Sequence, residues 1–238
     1  MVRLIKSELI KNKIWQYSIL ACLLPVFTGV FIKTQIVNRT VNYIDVPVDT
    51  YTFALVCNTF LIFVLPIFVL LTSIVFAQNE SNDNGWMLVL STVKDGKKTI
   101  IAKCITQIII IFISYISFTA VNGYLLQDWG MKIILEVVVI PLFYSFICFI
   151  PIMIVVQLLC IILPHVIEKV FLGMFLIIVN FLIAQTDYNT YFYPNFYYTI
   201  AQDSSNAVVQ VSISILLVIT LLYFGTKLTT KYIQNHYV

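Results

Sequence analysis

One long polar segment, residues 77–103, interrupts a chain that is otherwise strongly apolar. Its first part, residues 78–84, is rich in residue types that cap helices. Residues 85–91 form a short apolar stretch, and the pair Asp95-Gly96 marks a turn beside a basic cluster. The segment holds seven charged residues: Glu80, Asp83, Lys94, Asp95, Lys97, Lys98 and Lys103. This order predicts a short helix along the membrane surface, followed by a turn into the next span.

The chemistry that this segment suits is binding. Aromatic anchors carry much of the binding energy at protein interfaces, so Trp86 and Met87 are candidates to fill a groove on a partner protein. The alternative is that Trp86 anchors the segment in the lipid headgroup layer, where tryptophan is enriched. The sequence leaves both interpretations open.

The sequence motifs of nucleotide binding and hydrolysis are missing from the chain. Asp95-Gly96-Lys97-Lys98 is the nearest approach to a phosphate-binding loop, but it lacks the glycine five positions earlier. No His-Glu-x-x-His or Gly-x-Ser-x-Gly motif is present, and no metal-ligand spacing is found. We therefore expect a non-enzymatic protein without a catalytic or metal site, which takes any energy that it uses from another chain.

Few polar residues lie deep in the apolar runs, and none of them is ionisable near a predicted midplane. Ion-coupled transporters and proton relays usually place ionisable groups there, so both classes are disfavoured. The polar residues are expected to hydrogen-bond between helices, and the alternative is that they line a substrate path. They are Gln107, Ser114, Gln157 and Asn180.

Composition indicates where these residues must fold. The 238 residues are 61% hydrophobic and 11% charged, with a mean hydropathy of +0.97, whereas soluble domains are about 25% charged. So few charges cannot form a water-facing shell, and we predict an all-α integral membrane protein. A helix needs about 20 apolar residues to cross the hydrocarbon core. The six predicted spans are about 14–32, 53–76, 104–122, 135–163, 170–185 and 207–224.

The fourth apolar run, 135–163, is long for one straight crossing and contains Pro141 and Pro151. A single kinked span is preferred because no turn or charge cluster divides the run. The alternative is a re-entrant segment followed by a span. Outside the spans, residues 186–206 form an aromatic loop that suits the headgroup level.

The distribution of basic residues predicts the orientation. With six spans, 11 of the 14 Lys and Arg residues fall on the side of the termini and of the 77–103 segment, and 3 on the other. The positive-inside rule then places both termini and this segment in the cytoplasm. Residues 1–13 are expected to form an interfacial amphipathic helix, because Val2, Ile5 and Leu9 share one face. A plain basic flank that only sets orientation is the alternative.

Within residues 77–103 the order of residues resembles one known family. Glu80 is followed by Gly85, the apolar run Leu88-Val89-Leu90, Thr92-Val93-Lys94, and then Lys103 at the start of the next span. This order, and the six-span arrangement with an N-terminal amphipathic helix, is similar to the permease subunits of type-2 ABC exporters. Thr92 stands where that family has proline, a lysine where it has arginine, and Trp86 where it has serine or threonine.

The resemblance implies a transport subunit in the bacterial cell membrane that pairs with a second permease copy or paralogue and with two cytoplasmic ATP-binding subunits. ATP and Mg²⁺ would be bound by those subunits and not by this chain. The substrate would be hydrophobic or amphipathic, such as a peptide in toxin export or antimicrobial-peptide immunity, as in small Gram-positive permeases including phenol-soluble modulin exporters. Residues implied at the ATPase contact are Glu80, Asp83, Gly85, Trp86, Met87, Lys94 and Lys103. The substrate path would include Gln107, Gln157 and Asn180. The alternative function is a non-transporting membrane sensor or scaffold.

Overall fold

The computed structural model describes residues 1–12, 14–40, 60–81, 96–128, 135–184 and 204–237. Within these ranges the protein is entirely helical apart from the ends of helices and a short break at 163–165. The helices are α1 (Val2–Lys11), α2 (Ile14–Thr40), α3 (Leu65–Ser81), α4 (Gly96–Asp128), α5 (Leu135–Ile162), α6 (Val166–Ala184), α7 (Ser204–Thr220) and α8 (Thr226–Tyr237). A π-helical turn, Phe60–Val64, leads into α3, and a second one, Leu221–Gly225, joins α7 to α8.

Three described helical stretches are long and apolar enough to cross a membrane: Gly96–Val121, Leu142–Ile162 and Val208–Asn235. A fourth is reached if α1 and the following stretch Trp15–Val30, which meet at a bend of 74°, count as one span. Long apolar helices of this kind are those of a membrane-embedded protein. Each of the six predicted spans coincides at least in part with a described helix, but the count of six stays a prediction.

Two helices, α3 and α4, extend into the polar segment beyond the ends of the predicted spans, where no residue type marks a helix end. The polar segment predicted over 77–103 is helical at both described ends, since α3 continues to Ser81 and α4 begins at Gly96. Thr99, Ile100 and Ala102 are buried, so packing against neighbouring helices supports this extra turn. A single helix, α5, covers the run 135–162 without a turn.

The buried core lies where α4 packs against α2 and where α5 packs against α3 and α7. Aromatic side chains hold several of these contacts. Phe60 stacks on Phe118 of α4 with ring centroids 4.2 Å apart, and Tyr17 of α2 meets Phe76 of α3 edge-on at 5.8 Å. Aromatic pairs in such geometries contribute about 0.5–1.5 kcal/mol beyond their buried area. They fix the register of α2, α3 and α4, which carry the site described below.

Gly173 allows α6 to lie directly against α3. A Cβ atom at this position would clash with both terminal methyl groups of Leu70 and would lie 2.7 Å from Leu70 Cγ. Carbon atoms cannot approach so closely, and Leu70 is itself buried, so any side chain here forces the two helices or Leu70 to move. Small residues at helix contacts serve this purpose in membrane proteins.

Gly173→Ala should therefore lower the free energy of unfolding by about 1–3 kcal/mol, the usual cost of overpacking. Thermal unfolding of the purified protein in detergent measures this. Met174→Ala is the matched control, since its side chain is 51% exposed on the same helix, and it should change stability little. The double variant Gly173→Ala/Leu70→Ala should lose less stability than the sum of the losses measured for the two single variants. Full additivity would contradict the contact.

Candidate functional site

The candidate site is a buried cluster of charges where α1, α3 and α4 meet. Lys103, in the second turn of α4, is completely buried, as is Glu80 near the end of α3. Glu8 of α1 is also buried, although α1 is a short helix with most of its residues exposed. Charged side chains are almost never fully buried unless they are paired, so their positions must depend on one another.

Lys103 is the centre of the cluster. Its Nζ lies 2.8 Å from Glu8 Oε2 and 2.8 Å from Glu80 Oε1. Lys11 of α1 adds a second cation, with its Nζ 2.6 Å from the same Glu80 oxygen. Two ammonium groups thus face two carboxylates, and the cluster of Glu8, Lys11, Glu80 and Lys103 is electrically neutral.

Two asparagines extend the cluster. The Nδ2 group of Asn12 donates to Glu8 Oε2 and to the Glu8 carbonyl oxygen, both at 3.0 Å. Asn79 of α3 donates from Nδ2 to Asn12 Oδ1 at 2.9 Å. The end of α1 is therefore held to α3 by an amide bridge in addition to the ion pairs. We name these six residues the charge cluster: Glu8, Lys11, Asn12, Asn79, Glu80 and Lys103.

The electrostatics of Glu80 follow from two opposing effects. Burial raises the pKa of its carboxyl group, but the nearby Lys103 and Lys11 ammonium groups offset burial, and the pKa lies below its ordinary value. Glu80 Oε2 has no hydrogen-bond partner among the described residues. The cluster therefore keeps Glu80 ionised inside the protein, next to the point where the described part of α3 ends.

The structure brings together two of the residues predicted at the ATPase contact, Glu80 and Lys103, which are 23 positions apart in the sequence. It places both inside the protein, bonded to each other. The remaining predicted contact residues lie outside the described residues: Asp83, Gly85, Trp86, Met87 and Lys94.

Sequence reasoning missed the contribution of α1. From the sequence, Glu8, Lys11 and Asn12 belong to a predicted interfacial helix, with no role in a site. A signal was present, because Glu8 is the one acidic residue among residues 1–13 and Asn12 follows it by four positions, on the same face of a helix. That spacing indicates that Glu8 and Asn12 act together but not which distant lysine they meet.

The polar residues predicted within the spans behave differently from one another. Gln107 of α4 is buried and donates from Nε2 to three oxygens of α3: Val69 O at 3.1 Å, Thr72 Oγ1 at 3.2 Å and Ser73 Oγ at 2.6 Å. It hydrogen-bonds between helices, as expected. Gln157 of α5 is buried, but neither amide atom has a hydrogen-bond partner among the described residues. The side chain of Asn180 lies outside the described residues.

Comparison with known proteins adds no relative to this picture. No family model, curated protein or solved structure matches the chain.

Removal of the central cation should destabilise the protein strongly. Lys103→Met leaves Glu8 and Glu80 buried without their shared partner, and we expect a loss of about 3–5 kcal/mol in the free energy of unfolding. Lys97→Met is the matched control, because Lys97 is exposed one turn and a half earlier on α4, and it should change stability by less than about 0.5 kcal/mol.

The triple variant Glu8→Gln/Lys103→Met/Glu80→Gln removes the unpaired carboxylates as well, and should be more stable than Lys103→Met alone. Chemical unfolding in detergent compares all three proteins. A Lys103→Met protein as stable as the Lys97→Met control would contradict the buried cluster.

The cluster should also make stability depend on acid. Pairing with Lys103 and Lys11 lowers the pKa of Glu80 in the folded state. The stabilisation that the ionised Glu80 carboxylate provides is therefore complete above its ordinary pKa of 4.5. This stabilisation is lost as the pH falls from 4.5 through the lower pKa of the folded state. Glu80→Gln should lower stability at neutral pH and flatten the fall in stability below this value. Glu168→Gln, which removes an exposed carboxylate, should keep the wild-type profile. Unfolding measured at a series of pH values tests this, and parallel curves for wild type and Glu80→Gln would contradict it.

Proposed function

We propose that this protein is the membrane permease subunit of an ATP-driven exporter of the type-2 ABC class, which moves hydrophobic or amphipathic substrates such as peptides. The charge cluster is the single observation that carries the proposal. It ties α1 to the two helices that flank residues 82–95, the segment in which sequence analysis predicts the partner-binding helix.

The proposed topology has six spans, with both termini in the cytoplasm of a bacterial cell. The bias of basic residues supports this orientation, because 11 of 14 Lys and Arg residues then face the cytoplasm. The charge cluster would lie at the cytoplasmic ends of α3 and α4. The amphipathic α1, which meets the following helix at a bend of 74°, would run along the same surface.

In this arrangement the cluster transmits force. ATP-binding subunits that close on each other would push on residues 82–95, with Trp86 and Met87 as anchors in their groove. Lys103 bonds at once to α1 and α3, so displacement of the segment would move α1, α3 and α4 together. Packed elements with a shared buried ion network move as units because breaking the network exposes unpaired charges.

The interior of the protein suits an apolar cargo. Glu136, at the edge of the fourth predicted span, is the one charged residue in the six spans, and the polar groups described deeper within them are uncharged amides and hydroxyls, such as Gln107 and Gln157. A groove of about 380 Å³ between α4 and α5 has an almost wholly apolar lining, including Phe112, Phe143 and Phe146. A path of this chemistry accepts apolar side chains or acyl chains, and it supports an energy source outside the chain. A second permease copy or paralogue would complete the path.

The proposal predicts that an ATP-binding subunit co-purifies with the full chain from its native membrane. Trp86→Ala should reduce recovery of that subunit by about tenfold, the loss expected for one aromatic hot spot. Phe171→Ala, which removes an exposed aromatic residue of α6, should leave recovery unchanged.

Vesicle reconstitution supplies the second test. The complex should move an amphipathic peptide only when ATP is added, and the permease alone should be inert under a proton or sodium gradient. Recovery of no ATP-binding subunit, or gradient-driven transport by the chain alone, would refute the proposal.

A further inference from the structure

The side of α1 that is turned away from the charge cluster is exposed. Glu8 and Asn12 are buried against α3 and α4, whereas the residues on the other side of α1 are accessible. Successive residues of an α-helix are rotated by about 100°, so residues two positions apart point to opposite sides. Lys6 therefore points away from Glu8. We name the four exposed residues on this side the outward face: Val2, Arg3, Lys6 and Ile10.

Burial of Glu8 leaves positive charge on the surface of α1. Glu8 is the one acidic residue among residues 1–13, and its carboxylate is paired with Lys103 inside the protein. Arg3 and Lys6 are exposed, with no exposed carboxylate on the same helix to offset them. The outward face of α1 is therefore a basic surface that attracts anions.

The outward face also carries apolar side chains that the protein interior does not cover. Within the described ranges, no residue of α1 belongs to the buried hydrophobic core or packs against it. Val2 is 80% exposed and Ile10 is 69% exposed. Each lies one turn from Lys6 on the same side, because residues four apart stand above one another on a helix. Alternating apolar and basic side chains are typical of helices that lie in the headgroup layer of a membrane.

The charge cluster determines where α1 lies along α4. Glu8 Oε2 is 2.8 Å from Lys103 Nζ, and Lys103 directly precedes the apolar run 104–122. α1 is therefore held at the boundary between the polar and apolar parts of α4. It meets the following stretch, Trp15–Val30, at a bend of 74°. A helix of 10 residues, about 15 Å long, that turns aside at this boundary lies along the membrane surface and does not cross it.

This position favours lipid as the partner of the outward face. Anionic headgroups and the ends of acyl chains adjoin in one layer of the membrane, so both kinds of surface are available there. Lys and Arg side chains place their apolar stems among the chains and their charges among the headgroups. Because the cluster holds α1 at that depth, lipid meets Arg3 and Lys6 without any further partner.

We propose that the outward face of α1 binds the headgroups of anionic phospholipids in the adjacent leaflet through Arg3 and Lys6, with Val2 and Ile10 among the acyl chains. The charge cluster holds the helix in place for this contact. The inference requires only that the protein is embedded in a membrane, so it applies to a transporter and to a scaffold alike.

Lipid retention by the full chain tests the proposal. The protein is reconstituted alone in nanodiscs of phosphatidylcholine mixed with phosphatidylglycerol, and native mass spectrometry identifies the lipids that stay bound in mild detergent. Wild type should retain phosphatidylglycerol in preference to phosphatidylcholine. Arg3→Gln/Lys6→Gln should lower this preference by at least about fivefold, the loss expected for one cation near an anionic surface. Both residues are exposed, so the variant should fold as wild type does.

Lys97→Gln/Lys231→Gln is the matched control, because it also removes two exposed lysines. Each of them lies seven positions beyond the end of a predicted span, at residues 104 and 224, which is about 10 Å along a helix. Their charges are thus about one Debye length from the membrane edge, and the lipid preference should stay at the wild-type level. An equal loss in this control would show a general effect of charge and overturn the assignment to α1.

Two further arms test the electrostatic origin of the preference. Ile10→Glu adds an acid to the outward face without removing a cation, and should lower the preference more than Ile10→Gln does. Raising the salt from about 0.1 M to about 1 M should weaken the preference of wild type, because exposed charges are screened. A preference that is insensitive to both changes would contradict binding through the exposed charges.

The comparison of wild type with Arg3→Gln/Lys6→Gln decides the proposal. Equal preference for phosphatidylglycerol in the two proteins would overturn it. An unchanged lipid preference together with lost recovery of a partner protein from the native membrane would assign the outward face to that protein, and would also overturn lipid as its occupant.

Discussion

A single buried ammonium group, that of Lys103, determines how the first half of this protein is assembled. It lies 2.8 Å from a carboxylate of α1 and 2.8 Å from a carboxylate of α3, while its own backbone belongs to α4. None of the three charges could remain buried without the others, because the cost of removing each from water is recovered only by close pairing. The interaction therefore makes three separate helices depend on one another.

The same constraint connects fold to function. Lys103 joins α1 to the two helices on either side of residues 82–95, so a force applied to that segment reaches a buried and electrically neutral ion cluster. A looser polar contact, exposed to water, would yield without moving its neighbours. Such rigidity is what a subunit driven by a separate ATPase would need at its contact surface. The same geometry would also serve a scaffold that holds a partner without transporting anything.

Composition and periodicity determined that the chain is helical and apolar enough for a membrane, because 61% hydrophobic residues leave no other solvent for most of its surface. They also located the polar segment, and within it the order of residues shared with a known transporter family singled out Glu80 and Lys103. Periodicity could not show that these two residues bond to each other, or that Glu8 joins them from 95 positions away, because pairing between distant residues depends on how helices pack. Gln107 was expected to bond across helices from its chemistry alone, yet its three acceptors on α3 were decided by the rotation of two helices. Tertiary packing likewise decided the burial of Lys169, since a lysine beside an exposed glutamate gives no local sign that its side chain will be enclosed.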